Sequence, residues 1–165
     1  MPAPDRDEDP FPALPVDPDV TRDADVVPPR IHGSAVAAVA LGGALGSTAR
    51  WAVAEALPHA SGQLPWATLL TNVVGCALIG VLMVLVAERW PDRRLVRPFF
   101  GTGILGGFTT FSTYVVDTRA LVATGHAAVA SAYLLGTLAA GLLAVVAGLR
   151  LTERLVGRPI GRTVR

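Results

Sequence analysis

The stretch GTGILGGFTTFSTYVVDT, residues 101–118, decides how this chain folds, because it interrupts a strongly apolar sequence with four glycines and a run of hydroxyls. The hydroxyls belong to Thr109, Thr110, Ser112 and Thr113. Unpaired backbone groups are costly in hydrocarbon, so irregular backbone survives there only inside protein or beside a wet cavity. We therefore predict a helix that breaks near mid-membrane. The same glycines would also suit close helix packing, and spacing alone leaves both interpretations open.

Composition makes the lipid bilayer the expected solvent. The 165 residues are 52% hydrophobic and 16% charged, and the mean hydropathy is +0.50. This is too apolar for an ordinary soluble domain. The formal net charge is only +1, which favours neither a nucleic-acid partner nor an acidic surface. The single cysteine, Cys76, rules out a disulfide within the chain.

Four apolar stretches between residues 34 and 150 predict a membrane domain. They cover residues 34–57, 66–87, about 98–124, and 127–149. A hydrocarbon core of about 30 Å needs roughly 20 helical residues, so each stretch is long enough to cross it. The predicted fold class is an all-α membrane protein with four transmembrane helices, the third of them broken.

The two ends of the chain differ from this domain. Residues 1–33 contain eight prolines and eight acidic residues, and such a segment buries too little apolar surface to offset its ordering entropy. We expect a disordered acidic tail there and an Arg-rich tail over residues 151–165. Arginines cluster in the loop after the second span and after the fourth, at Arg89, Arg93, Arg94, Arg97, Arg150, Arg154, Arg158, Arg162 and Arg165. The positive-inside rule then predicts that both termini are cytoplasmic.

Polar residues form narrow stripes on the second span. Thr68, Asn72 and Cys76 follow the spacing i, i+4, i+8 and so share one helix face. Asn72 is the one carboxamide within the predicted spans. An asparagine in hydrocarbon is costly unless paired, so it either joins helices or faces a conducting path.

The third and fourth spans carry matching features. Tyr133, Thr137 and Gly141 repeat the same spacing, and Phe111 and Tyr114 put two rings on one face. Hydroxyls, an amide NH2 and the positive edges of aromatic rings all favour an anion without holding it as tightly as a buried charge would. Conduction requires such weak binding. The residues indicate a small-anion channel or carrier.

Three segments resemble the Fluc (CrcB) fluoride channels, which are small four-span bacterial proteins that work as antiparallel dimers. These segments are GGALGSTARW in the first span, PWATLLTNVVGCALIG in the second and GTGILGGFTTFSTYVVD in the third. The resemblance covers about residues 34–149. It implies passive fluoride export from the cytoplasm through two pores per dimer, in the cell membrane.

The resemblance also implies particular site residues. A central structural sodium ion would be held by backbone carbonyls of Gly106 and Thr109 from each subunit. Phe111 would present its ring edge to fluoride, and Arg50 would attract anions into an aqueous vestibule. The fluoride path as a whole would comprise Arg50, Thr68, Asn72, Phe111, Ser112, Thr113, Tyr114, Tyr133 and Thr137.

Three positions depart from the family pattern. Tyr114 stands where a second Phe is usual, and its hydroxyl changes the simple two-ring arrangement. Gly141 stands where a hydroxyl would extend the polar track of the fourth helix. Asp117 stands where a Glu is common, and we assign it no role.

The arginine bias bears on assembly. An antiparallel homodimer requires one chain to insert in both orientations, which is easiest when flanking charges are balanced. Only Arg50 and Arg119 lie near the opposite face, so this chain is not balanced. We predict a fixed orientation and a homodimer or a heterodimer with an oppositely oriented paralogue, the latter favoured by the bias.

Two other function classes fit less well. A small four-helix proton-coupled exporter needs a carboxylate within the membrane, whereas Glu55, Glu88 and Asp117 are expected toward span ends. An enzyme needs a nucleophile beside a base, and the histidines lie in or beside loops, away from the Ser/Thr cluster of the third span. We therefore expect no catalytic residues.

Overall fold

The computed structural model describes residues 32–157, which form helices and loops without a strand. The first two helices are α1, Gly33–Ala56, and α2, Trp66–Glu88. Next comes a π-helix, Arg97–Leu105, that runs directly into one α-helical turn, Gly106–Phe108; together they form α3. The last two helices are α4, Ser112–Ala123, and α5, Ala127–Val156. Most of the predicted N-terminal tail and residues 158–165 lie outside the described residues.

Three of the described helices, α1, α2 and α5, are long and apolar enough to cross a membrane. The third predicted span is divided between α3 and α4, and neither part alone has the required length. The helix α5, which contains the fourth predicted span, continues past the apolar stretch that ends at Leu149 and is capped by Gly157. Gly157 has a φ of 75°, the left-handed conformation in which glycine commonly ends helices.

The division of the third span follows from its backbone. The N–H of Gly106 donates to the carbonyl of Gly101, five residues earlier, in the wide turn of a π-helix. Thr109 then adopts an extended conformation, with φ −80° and ψ 159°, and helical structure resumes at Ser112. Three residues therefore separate the two helical parts.

Small residues let α1 approach α3 at backbone distance. A Cβ added to Gly42 would lie 2.3 Å from the carbonyl oxygen of Phe99, and one added to Gly46 would lie 2.1 Å from that of Ile104. Both distances are shorter than van der Waals contact. These two glycines, spaced as GxxxG, therefore serve close helix packing.

A second close contact joins α2 to α5. A Cβ on Gly80 would lie 2.4 Å from the carbonyl oxygen of Val145, and one on Gly148 would lie 2.2 Å from that of Ala77. Asn72 and Cys76 of α2 consequently line the same space as Thr137 and Gly141 of α5.

Replacing Gly46 by alanine is expected to destabilise the fold, because the methyl group would meet the backbone of α3. Overpacking of this kind costs about 1–3 kcal/mol. Gly43→Ala is the matched control: nothing lies within 4 Å of its added Cβ, and alanine has the higher helix propensity. Unfolding in detergent titrated with dodecyl sulfate, followed by circular dichroism, would measure both. Equal stability of the two variants would contradict the close α1–α3 contact.

Candidate functional site

Asn72 holds the interruption between α3 and α4. Its Nδ2 donates to the carbonyl of Thr110 over 2.9 Å, and its Oδ1 accepts from the N–H of the same residue over 2.8 Å. Both polar groups of Thr110's backbone are thus paired with one side chain of α2. A carboxamide NH2 carries two hydrogens, so one donor remains.

This pairing changes the hydrogen bonding of two carbonyls. In a continuous α-helix the N–H of Thr110 would donate to the carbonyl of Gly106, but here it donates to Asn72. The N–H of Thr113 would likewise donate to Thr109, but it donates to the Thr110 hydroxyl over 3.1 Å. Gly106 and Thr109 therefore both lose their α-helical donors.

Arg50 compensates for part of this loss. Its Nη1 donates to the carbonyl of Thr109 over 3.1 Å, which ties α1 to the interruption. A carbonyl oxygen has two lone pairs, so the oxygen of Thr109 can still accept a second partner. The guanidinium also lines a cavity of about 270 Å³ together with Thr68, Thr71 and Thr113.

A larger cavity of about 470 Å³ lies on the other side of the interruption, between α2, α3, α4 and α5. Thr110 lines both cavities. Its hydroxyl donates to Thr113 over 3.0 Å and lies 3.3 Å from the oxygen of Ser112. The larger cavity brings together six of the predicted site residues: Asn72, Gly106, Thr109, Phe111, Tyr114 and Thr137.

Three aromatic rings form a row beside this cavity. The centroids of Phe111 and Tyr114 are 6.0 Å apart, and those of Tyr114 and Tyr133 are 5.3 Å apart. Phe111 is 77% exposed in this chain, whereas both tyrosines are buried. The Tyr114 hydroxyl donates to the carbonyl of Leu134, so it bonds to the backbone of α5.

Comparison with known proteins supports the sequence-based resemblance. Residues 37–149 match the family model described as CrcB-like protein, Camphor Resistance (CrcB). This chain belongs to the CrcB family. The matched residues extend from α1 through most of α5 and include both cavities. Family membership and the three apolar helices together identify a multi-pass membrane protein.

Its CrcB relatives include proteins from the genus Streptomyces. Fluoride-specific ion channel FluC 2 of Streptomyces avermitilis is 62% identical over 109 residues, which are 65% of this chain and 69% of the relative. FluC 1 of Streptomyces coelicolor is 54% identical over 116 residues, or 70% and 75% of the two chains. FluC 3 of Streptomyces avermitilis is 44% identical over 136 residues, or 82% and 67%.

Asp117 is the residue of this CrcB chain to which sequence reasoning gave no role. Its Oδ2 accepts from the Thr68 hydroxyl over 2.7 Å and from the Tyr133 hydroxyl over 3.4 Å. The carboxylate thus joins α4 to α2 and α5. Glu55 and Glu88 lie at helix ends as expected, and Asp117 lies beside the loop between α1 and α2, where it lines a small cavity with His59 and Gln63. An acidic residue in an apolar segment is costly without partners, and this cost is the sequence signal that Asp117 has partners.

Proposed function

We propose that this chain is a subunit of a fluoride-specific ion channel that exports fluoride passively from the cytoplasm and so lowers its toxicity. The observation that carries the proposal is the Asn72-bound interruption between two cavities that share Thr110, in a chain whose family relatives are named fluoride-specific channels. A small, strongly hydrated anion gains most from closely spaced neutral donors. Such donors also release it readily, as conduction requires.

The assembly we infer is an antiparallel dimer of four-span subunits, with the third helix broken near mid-membrane. Support comes from the exposed side of the interruption in the single subunit. Phe111 is 77% exposed and lines the larger cavity. A second subunit that covered this side would enclose the cavity and bury the Phe111 ring between the two subunits. We assign the fluoride path to Arg50, Thr68, Asn72, Phe111, Ser112, Thr113, Tyr114, Tyr133 and Thr137.

A structural sodium ion fits the carbonyl arrangement at the interruption. Gly106 and Thr109 lack their α-helical donors, and freed carbonyls at a broken helix are suitable ligands for a hard cation. One lone pair on Thr109 remains despite the bond from Arg50. Each subunit would supply these two carbonyls. The ion would neutralise the partial negative charge of the four carbonyl oxygens where the third helices meet. It would not be transported.

Orientation and partner choice follow from the arginine bias. We infer that both termini are cytoplasmic and that an oppositely oriented paralogue is the favoured partner, with a homodimer as the other possibility. Streptomyces avermitilis has relatives named FluC 2 and FluC 3, so one organism can contain more than one such chain. Reporter fusions at the C-terminus should be active only on the cytoplasmic side. Equal populations on both sides would contradict the fixed orientation.

Fluoride-electrode efflux from liposomes containing this chain tests the main proposal. We expect fluoride-selective efflux in sodium buffer, its loss in sodium-free buffer and no chloride flux. If the chain alone is silent, co-reconstitution with a related chain of opposite orientation should restore efflux. Silence of the well-folded pair would overturn the fluoride assignment.

Replacing Asp117 by asparagine should leave fluoride efflux within about fivefold of wild type, because the amide oxygen can accept both hydrogen bonds at a net cost near 1 kcal/mol. A proton-coupled exporter would behave differently, since the carboxylate would carry the exchanged proton. Efflux measured with and without an imposed pH gradient separates the two mechanisms. The exporter would be supported instead if wild-type transport were driven by the pH gradient and Asp117→Asn lost this gradient-driven transport. Glu55→Gln, at the end of α1, is the control.

A further inference from the structure

The Thr137 hydroxyl has an unusual position. Thr137 is 6% exposed, and its Oγ1 is the one buried side-chain polar atom among the described residues without a hydrogen-bond partner. Elsewhere on the same helix, the buried Thr152 hydroxyl donates to the carbonyl of Gly148 one turn earlier. Thr137 does not bond in this way, although it lines the larger cavity. A buried hydroxyl without a partner indicates that something in the cavity binds it.

Cys76 of α2 lies opposite Gly141 of α5, one helical turn beyond Thr137, and lines the same cavity. Gly141 follows Thr137 by four residues, and a Cβ built on Gly141 would lie 3.3 Å from the Cys76 sulfur. The bare glycine of α5 therefore leaves space that the thiol of α2 fills. Both Cys76 and Gly141 line the cavity. The described residues give the thiol no hydrogen-bond partner.

We propose that the Cys76 thiol is a hydrogen-bond donor on the anion path, one step beyond the Thr137 hydroxyl. This proposal rests on the proposed fluoride-channel function. A thiol is a weak donor, so it stabilises a passing anion without trapping it. In this arrangement α5 supplies the hydroxyl and α2 supplies the next donor, because Gly141 carries no side chain. The alternative is that Cys76 only fills space.

Substitutions at positions 76 and 141 separate the two roles. Cys76→Ala should lower fluoride efflux roughly threefold, as expected for loss of one weak hydrogen bond, whereas Cys76→Ser should keep wild-type efflux or exceed it. Adding Gly141→Ser to Cys76→Ala should restore efflux, because the serine returns a donor to the same space, whereas adding Gly141→Ala should not. A space-filling role predicts that both second substitutions restore efflux. Equal efflux from the alanine and serine variants at position 76, both folded, would overturn the proposal.

A second test measures access to the thiol directly. Cys76 is the single cysteine, so Cys76→Ala is a complete labelling control. Sulfonatoethyl methanethiosulfonate forms a disulfide with the thiolate and releases methanesulfinate, and the thiol proton passes to buffer. We expect labelling of the reconstituted wild type by intact mass, slower labelling in fluoride than in sulfate, and loss of most efflux. Labelling that occurs only after denaturation, or that leaves efflux unchanged, would overturn the proposal.

The two proposals fail in different ways. If the wild-type chain, alone or with its partner, never carries fluoride, the channel function fails and this inference fails with it. If wild type carries fluoride but position 76 has none of the expected effects, only this inference fails. Cys76→Ala combined with Gly141→Ala is a further control. The alanine at position 141 adds a methyl group beside position 76 without supplying a hydrogen-bond donor, so efflux should stay as low as in Cys76→Ala.

Discussion

Replacing Asn72 by leucine is expected to abolish fluoride efflux and to destabilise the fold together. Leucine is close to asparagine in size but can pair with neither the N–H nor the carbonyl of Thr110. Each buried group left unpaired costs about 1–3 kcal/mol, so the loss should be roughly 2–6 kcal/mol if both stay unpaired. If the Thr110 N–H instead returns to the carbonyl of Gly106, which would straighten the interruption, the loss falls to about 1–3 kcal/mol. Liposome efflux and unfolding in dodecyl sulfate would measure the two effects.

Two further variants make this result interpretable. Asn72→Asp keeps an acceptor for the Thr110 N–H but has no donor for its carbonyl, so its stability should lie between wild type and leucine. Leu70→Ala is the control on the same helix, since Leu70 is exposed on the subunit surface and contacts neither cavity. Wild-type unfolding and efflux in Asn72→Leu would show that the interruption does not depend on this amide.

Local sequence was sufficient for most helix bounds. Apolar stretch length depends on neighbouring residues alone, so it located both ends of α1 and α2 within one residue and the start of α5, whereas α5 continues past the apolar stretch to Val156. The glycines and hydroxyls of residues 101–118 likewise marked the region where helical structure stops at Phe108. The π-helical form of the preceding segment had no comparable signal, because glycine content does not distinguish wide helical turns from ordinary ones.

The partners of the polar residues were not predictable, because they depend on how the helices pack. Asn72 was read as either a packing or a pore residue, and its contact with Thr110 joins positions 38 residues apart in sequence. Arg50 was expected in a vestibule, and its bond to Thr109 spans 59 residues. Asp117 received no role because its partners come from two other helices. Spacing identifies the face on which a polar group lies, but tertiary structure decides what it meets.

Replacing Phe111 by leucine is expected to lower fluoride efflux about tenfold or more while leaving the subunit folded. The ring is 77% exposed in the single subunit, so its removal costs little buried surface there. Leucine keeps an apolar side chain but lacks the positive ring edge that would face the anion. A tenfold loss corresponds to about 1.4 kcal/mol of stabilisation of the anion on the path assigned under the proposed function.

The control is Phe100→Leu, which removes an exposed ring from α3 that lines neither cavity. Its efflux and dimer content should match wild type, and chloride flux should stay absent in both variants. The contrast with Asn72 is the sharper test, because Asn72→Leu should lose stability and efflux together, whereas Phe111→Leu should lose efflux alone. If Phe111→Leu instead conducts normally as an intact dimer, the exposed ring serves contact between subunits or with lipid, and fluoride passes elsewhere.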